Sequence, residues 1–402
     1  MRIGIDCRTI LNPEKGEGAG IGHYTYQLVK NLLEIDKKNS YFLFFDKSVQ
    51  VKRISKFKKK NVYIRFFPFN QYKKMLLNDY MPLLVSATLS RDKIDIYHSP
   101  TLYLPRSYQG SSIITVHDLA AYKFPELFST EESRLKINAL DSLGRAQKII
   151  AVSQSTANDL NQIFNIKPQK IKVVSNGVDG RFFTKRTEAE IAKIKSKYKI
   201  KKDYLFFIGA LEPRKNLIRL ISAYERLRKG LVEVFSPKLK NTSQRVELFS
   251  KYQLVLAGAE KQNINRQNNW VKKIKDKVNK SGFKKDIILT GYVGSDDLGP
   301  LFSGAKLFVF PSLYEGFGLP VIEAMAKGVP VITSNTSSLV EIAGKGAILV
   351  DPYNVAEIAG TIGKLLLNSD QQKSLSRKGL RLARQFSWKK CAKETLKVYK
   401  SI

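Results

Sequence analysis

Short apolar runs alternate with helical patterns along most of the chain. Arg2–Cys7, Tyr41–Phe45, Val62–Phe67, Ile94–His98, Ser112–Val116 and Lys148–Val152 read as strands of a first half. Tyr204–Ile208, Gln253–Leu256, Ile287–Leu289, Leu307–Phe310 and Ala347–Val350 continue the pattern in a second half. Strands alternating with helices predict α/β architecture, in which a parallel sheet is covered on both faces and ligands bind at the carboxyl ends of its strands. A chain of 402 residues exceeds one ordinary core and predicts two domains.

The stretch from Leu307 to Thr333 organises the second half. Leu307–Phe310 is an apolar run fit for a buried strand, Glu315-Gly316-Phe317-Gly318 is a glycine-bearing turn, and Leu319-Pro320 opens a helix that ends near Gly328. A strand, a turn and a helix N-terminus in this order make an anion site, because free backbone N–H groups and the helix dipole converge there. Glu315 and Glu323 frame it and can accept hydrogen bonds from hydroxyls in one cavity. Carboxylates beside an anion call for cations, and Arg214 and Lys215 stand in the turn Gly209–Asn216 after another strand. Positive charge at the start of the helix Leu217–Arg228 opposes its dipole, a conflict that an anionic ligand relieves.

In the first half, His117 and Asp118 follow the strand Ser112–Val116 and therefore sit at a ligand-facing end. From the residues alone, His117 is as readily a satisfied polar group as a functional one, and His98 reads as a packing or loop residue. Gly18, Gly20 and Gly22 lie in a long loop before the helical pattern His23–Val29 and permit close approach to the backbone, although surface loops also carry glycine for turns. Ser153 is a good N-cap for a helix Gln154–Phe164. Phe183–Asp203 reads as a charged helical segment, Lys229–Lys251 as an irregular surface insertion, and Ser334–Ser338 as a hydroxyl-rich turn.

Composition removes several classes. No segment has the roughly 18 apolar residues of a membrane-spanning helix, and Arg2 to Asp6 lacks the run of a signal peptide. Two cysteines, Cys7 and Cys391, make no disulfide framework and have no metal-ligand spacing, which fits a reducing cytoplasm. The net charge of +34 raises nucleic-acid binding, an anionic membrane surface or a lysine-rich proteome. Lys47–Lys74 holds ten Lys/Arg, no acid and six aromatic residues, a mixture suited to a lipid interface on the cytoplasmic face. Its alternative is a buried strand with solvated lysines. No RNA-binding signature accompanies the charge, so no specific nucleic acid is expected.

Four motifs in order resemble those of the retaining family 4 glycosyltransferases of GT-B fold: GAGIG (Gly18–Gly22), VHD (Val116–Asp118), LEPRKN (Leu211–Asn216) and the E-x7-E pair Glu315/Glu323 in EGFGLPVIEAMAKGVPVI. The resemblance covers nearly the whole chain. It implies two Rossmann-like domains facing each other across a cleft: an acceptor domain over 1–182, a nucleotide-sugar domain over 183–385, and a helix over 386–402 that returns to the first domain. Serine replaces the family's usual proline at Ser175, near the crossing Ser175–Asp179.

The resemblance also implies roles. Glu323 would bind ribose hydroxyls, Glu315 with the amides of Gly316, Phe317, Gly318 and Leu319 the sugar, and Arg214 and Lys215 the diphosphate, beside Gly209. Gly291, Tyr292 and Val293 would lie along the base. Gly20 and Gly22 would face the donor, His117 the outer sugar hydroxyls, and Asp118 would orient the loop or the histidine. No cofactor and no metal is implied, since the chain has no D-x-D. The reaction would proceed with retention by front-face attack, with Glu315 as a covalent nucleophile the lesser alternative. The wording looks most like bacterial mannosyltransferases of surface polysaccharide assembly, which implies GDP-mannose as donor and a glycan or lipid-linked glycan as acceptor. UDP-sugars, a soluble sugar synthase or phosphorylase, and an inactive membrane or nucleic-acid binder are the rival readings.

Overall fold

The computed structural model describes residues 1–10, 20–45, 54–67, 80–105, 108–127, 140–233, 241–258 and 270–402. Gly18, Ala259 and the parts of the basic stretch at 47–53 and 68–74 lie outside them. The described chain divides into one unit made of Met1–Gly177 with Ser387–Ile402 and a second made of Val178–Phe386.

In the first unit, β1 (Arg2–Asp6), β2 (Ser40–Phe45), β3 (Val62–Phe66), β4 (Ile96–Ser99), β5 (Ser112–Val116), β6 (Lys148–Ala151) and β7 (Ile171–Val173) form a parallel sheet in the order β3-β2-β1-β4-β5-β6-β7. Its central strands are apolar on both faces, as a sheet covered twice requires, and Ile3, Ile5, Ile113 and Ile149 are fully buried. Helices α1 (Ile21–Ile35), α2 (Tyr80–Arg91) and α3 (Gln154–Phe164) belong to this unit. The Ser153 hydroxyl caps α3 by accepting from Thr156 N at 3.0 Å.

In the second unit, β8 (Asp203–Ile208), β9 (Tyr252–Ala257), β10 (Ile287–Gly291), β11 (Leu307–Phe310), β12 (Val331–Ser334) and β13 (Ala347–Val350) run parallel in the order β10-β9-β8-β11-β12-β13. Around them lie α4 (Glu188–Lys197), α5 (Leu217–Arg228), α6 (Thr242–Phe249), α7 (Trp270–Asn279), α8 (Ser295–Ser303), α9 (Leu319–Ala326), α10 (Ser337–Ala343), α11 (Val355–Leu367) and α12 (Ser369–Ala383). Helix α6 corrects the sequence reading of Lys229–Lys251 as irregular. Asn241 Oδ1 accepts from Gln244 N at 3.0 Å, so the polar Asn-Thr-Ser run that looked like loop is a helix cap.

Each sheet reverses direction of strand order once, between β1 and β4 in the first and between β8 and β11 in the second. In doubly wound sheets the crevice at that reversal receives ligands. The last helix, α13 (Trp388–Tyr399), packs along α1 in the first unit, with the Trp388 ring edge-on to His23 at 5.6 Å. Gly177 admits this return: a Cβ there would stand 2.1 Å from Trp388 N.

Candidate active site

The two loops that leave β8 and β11 meet at the reversal point of the second sheet. Arg214 O accepts from Leu313 N at 2.8 Å, and Asn216, in the left-handed region at φ 61°, donates to Pro311 O at 2.9 Å and Pro352 O at 2.7 Å. These bonds fix Arg214 and Lys215 against Glu315. The Glu315 carboxylate accepts from Arg214 Nη1 at 2.8 Å through one oxygen and from Lys215 Nζ at 2.5 Å through the other. Glu212 takes the second arm of Arg214, at 2.8 Å.

Lys215 is buried to 6 % exposure and its ammonium stands 5.0 Å from the centre of the Phe310 ring. Burial and the neighbouring Arg214 lower its pKa. Burial alone would raise the Glu315 carboxyl, but Arg214 and Lys215 outweigh it and hold the group at about 2. The backbone of Glu315 is held as firmly. Its N–H donates to Ser337 Oγ at 3.0 Å and its carbonyl accepts from Ser338 Oγ at 2.8 Å. Sequence reasoning found the hydroxyl-rich turn but assigned it no part in the site; the run of serines was the available signal. Glu212, inside LEPRKN, was likewise left without a role.

Glycines shape the floor. Gly209 N donates to Ala257 O at 2.9 Å, and a Cβ on Gly209 would crowd the Phe207 ring at 3.1 Å and touch the Lys215 stem at 3.4 Å. Gly258 N donates to Gly291 O at 3.0 Å, which joins the ends of β9 and β10. Beyond Gly291, Val293 is buried while Tyr292 is 47 % exposed. Gly318, at φ 97°, is the N-cap of α9, and Phe317 is buried edge-on to Phe386 at 5.7 Å. Gly316 is buried in the same turn, and Leu319 begins α9.

Glu323 lies in different surroundings from Glu315. It is half-buried on α9 with Arg181 and Asp179 as its electrostatic neighbours, and burial pushes its carboxyl up to about 8. The two carboxylates of one motif are therefore shifted in opposite directions from the ordinary value.

In the first unit, His117 Nε2 donates to Pro100 O at 3.0 Å, which leaves Nδ1 as the lone-pair nitrogen. Burial lowers its pKa to about 4, so the ring is neutral. Asp118 Oδ1 accepts from Ala120 N at 3.1 Å and so braces the loop after β5. Gly20 takes φ 62° and ends the loop at the N-cap of α1, and Gly22 is buried in the first turn. His98 is fully buried with both ring nitrogens occupied, by Tyr399 Oη at 2.7 Å and Thr115 Oγ1 at 2.8 Å, a packing role.

Two parallel, Rossmann-like sheets, each reversing its strand order once, carry a cation–carboxylate cluster at the reversal of the second. Residues 188–381 match the Glycosyl transferases group 1 family and residues 18–181 match Glycosyltransferase Family 4. The chain is 31 % identical over 399 residues to O-antigen chain mannosyltransferase B of Escherichia coli, covering 96 % of this chain and 97 % of that one. The chain belongs to the family 4 glycosyltransferases and is an enzyme of that class. Solved structures of the same fold include the sucrose-phosphate synthase of Thermosynechococcus elongatus, with a TM-score of 0.76 at 17 % identity over 100 % of this chain and 98 % of that one. Anabaena Alr3699/HepE in complex with UDP and glucose also matches, with a TM-score of 0.72 at 17 % identity over 100 % and 99 %. Among the described residues no helix is long and apolar enough to cross a membrane.

Proposed function

We propose that this enzyme transfers mannose from GDP-mannose to a growing surface glycan, with retention at the anomeric carbon and without a metal. The observation that carries the reading is the pair of cations, Arg214 and Lys215, fastened together at the reversal of the second sheet. Two fixed, largely buried cations suit a diphosphate and stabilise the charge that grows on it as the sugar leaves. The full-length similarity to an O-antigen mannosyltransferase supports mannose and a polysaccharide acceptor.

In this mechanism Arg214 and Lys215 supply the positive charge on the leaving diphosphate. The amides of Gly316, Phe317 and Gly318, at the N-terminus of α9, add their dipoles. Glu323 accepts from ribose hydroxyls, Tyr292 and Val293 flank the base, and neutral His117 offers Nδ1 to a hydroxyl of the sugar. Both oxygens of Glu315 are engaged by cations and its pKa is about 2, which makes it a weak nucleophile. Front-face attack, in which the departing phosphate takes the acceptor's proton, requires no protein nucleophile and fits that engagement.

A membrane-bound acceptor fits the basic stretch. Within its described part, Lys56, Lys58, Lys59, Lys60, Tyr63 and Phe66 are all exposed, a mixture that favours an anionic bilayer surface.

The test is a thermal-shift panel of GDP, UDP, ADP and their sugar conjugates, with and without magnesium. Stabilisation by GDP-mannose in the absence of magnesium is expected. A shift only with a uridine or adenosine donor overturns the choice of donor, a shift only with magnesium overturns metal independence, and no shift with any donor overturns the transferase site.

A further inference from the structure

Beneath His117 runs a buried polar chain that the transfer reaction does not use. Tyr24, on α1, sets its ring edge against the His117 imidazole, with centroids 4.6 Å apart and planes at 80°. The Tyr24 hydroxyl meets Thr115 Oγ1 at 3.2 Å, Thr115 Oγ1 meets His98 Nε2 at 2.8 Å, and His98 Nδ1 meets the Tyr399 hydroxyl at 2.7 Å. Tyr24, Thr115, His98 and Tyr399 are all buried, and Thr115 lies on β5, two residues before His117.

Four hydroxyl and imidazole groups taken out of water cost stability unless every link is made. An apolar core would serve packing alone at less risk. What the chain adds is direction. Tyr24 has one hydroxyl, and fastening it to Thr115 fixes how the ring lies. The ring and the Pro100 carbonyl at Nε2 are then two contacts that bear on the plane of the imidazole. Tyr399 closes the chain from α13, so the returning helix is joined by hydrogen bonds to the core beneath His117.

We propose that Tyr24 is a positioning residue for His117, held in orientation by the Thr115–His98–Tyr399 chain. The proposal rests on His117 contacting the donor sugar. Tyr24 acts through the histidine and touches no substrate.

The test is a double-mutant cycle on transfer to acceptor, using wild type, Tyr24→Leu, His117→Ala and the double variant. Positioning within a fraction of an ångström governs turnover, and Tyr24→Leu is expected to lower kcat about tenfold. Its affinity for the nucleoside diphosphate without sugar is expected to stay unchanged. Tyr24→Leu in the His117→Ala background is expected to cost nothing further. Thr115→Val, which keeps the volume and removes the hydroxyl, serves as the second variant; its expected effects are a smaller loss of kcat and shifted His117 side-chain nitrogen resonances.

Losses in the cycle that add independently overturn the proposal, and so do unchanged His117 resonances in a folded Thr115→Val. If His117→Ala alone transfers at the wild-type rate, the assumed sugar contact fails instead, and the resonances still decide whether the chain orients the ring.

Discussion

Lys215 and Glu315 are joined by a 2.5 Å hydrogen bond between two buried side chains that lie 100 residues apart in sequence. Their loops leave neighbouring strands β8 and β11, which pair in parallel through Leu307 and Leu205. The link therefore reports the sheet order, and it bears on both folding and catalysis.

Replacing Lys215 by Met keeps the stem and removes the charge. Loss of one fixed donor to the leaving group should lower kcat by about 100-fold. Because the group is buried and paired, melting temperature should also fall, by an amount that reflects about 1–3 kcal/mol for the partner left behind. Turnover and calorimetry on the same sample separate the two effects; unchanged kcat in a folded variant removes Lys215 from the mechanism.

Glu315 should make acid stability steep. Its carboxyl is held at about 2 when folded against an ordinary value of 4.5, so its contribution is full above 4.5 and fades as pH falls toward 2. Urea unfolding across that window should show a smaller pH slope for Glu315→Gln than for wild type. Equal slopes would mean that the carboxyl is not held down.

Glu323 should act in the opposite sense. With a folded value of about 8, it binds a proton that the unfolded chain releases near 4.5, so the native state loses stability from this group as pH rises between those values. Glu323→Gln should remove that loss. If ribose hydroxyls donate to the carboxylate, nucleotide binding should release a proton at pH 7, visible as a buffer-dependent calorimetric enthalpy. No buffer dependence would show that the group binds without ionising.

Gly258→Ala should damage the floor of the site. The added Cβ would fall 1.9 Å from the Gly209 carbonyl oxygen, a backbone atom, so strand ends must move. The expected result is a destabilisation of more than about 2 kcal/mol together with weakened nucleotide binding, since the Lys215 stem lies against Gly209. Chemical denaturation and nucleotide titration check it.

Neutralising Lys56, Lys58, Lys59 and Lys60 together should reduce flotation with vesicles containing anionic lipid, at about 1 kcal/mol per lysine. These side chains are exposed, so melting temperature should stay within a degree or two. Equal flotation of wild type on neutral and anionic vesicles would dismiss the membrane role.

Most strands and helices were legible from the chain, because buried parallel strands are continuous apolar runs and helix starts carry caps such as Ser153; β7 and β12, three and four residues long, were not read as strands. The glycine turn before α9 and the cationic turn after β8 were legible for the same local reason. Helix α6 was missed because its Asn241-Thr242-Ser243 start has the composition of a loop, and only the cap bond distinguishes the two. What local pattern could not decide was which loops become neighbours. The order β10-β9-β8-β11-β12-β13 does so, by placing Arg214 and Lys215 beside Glu315. Protonation was decided there too: Glu315 and Glu323 are the same residue type in one motif, yet one meets two cations and the other mainly loses water. Likewise Tyr24, Thr115, His98 and Tyr399 are ordinary residues scattered over the chain, and only burial in a common core joins them beneath His117.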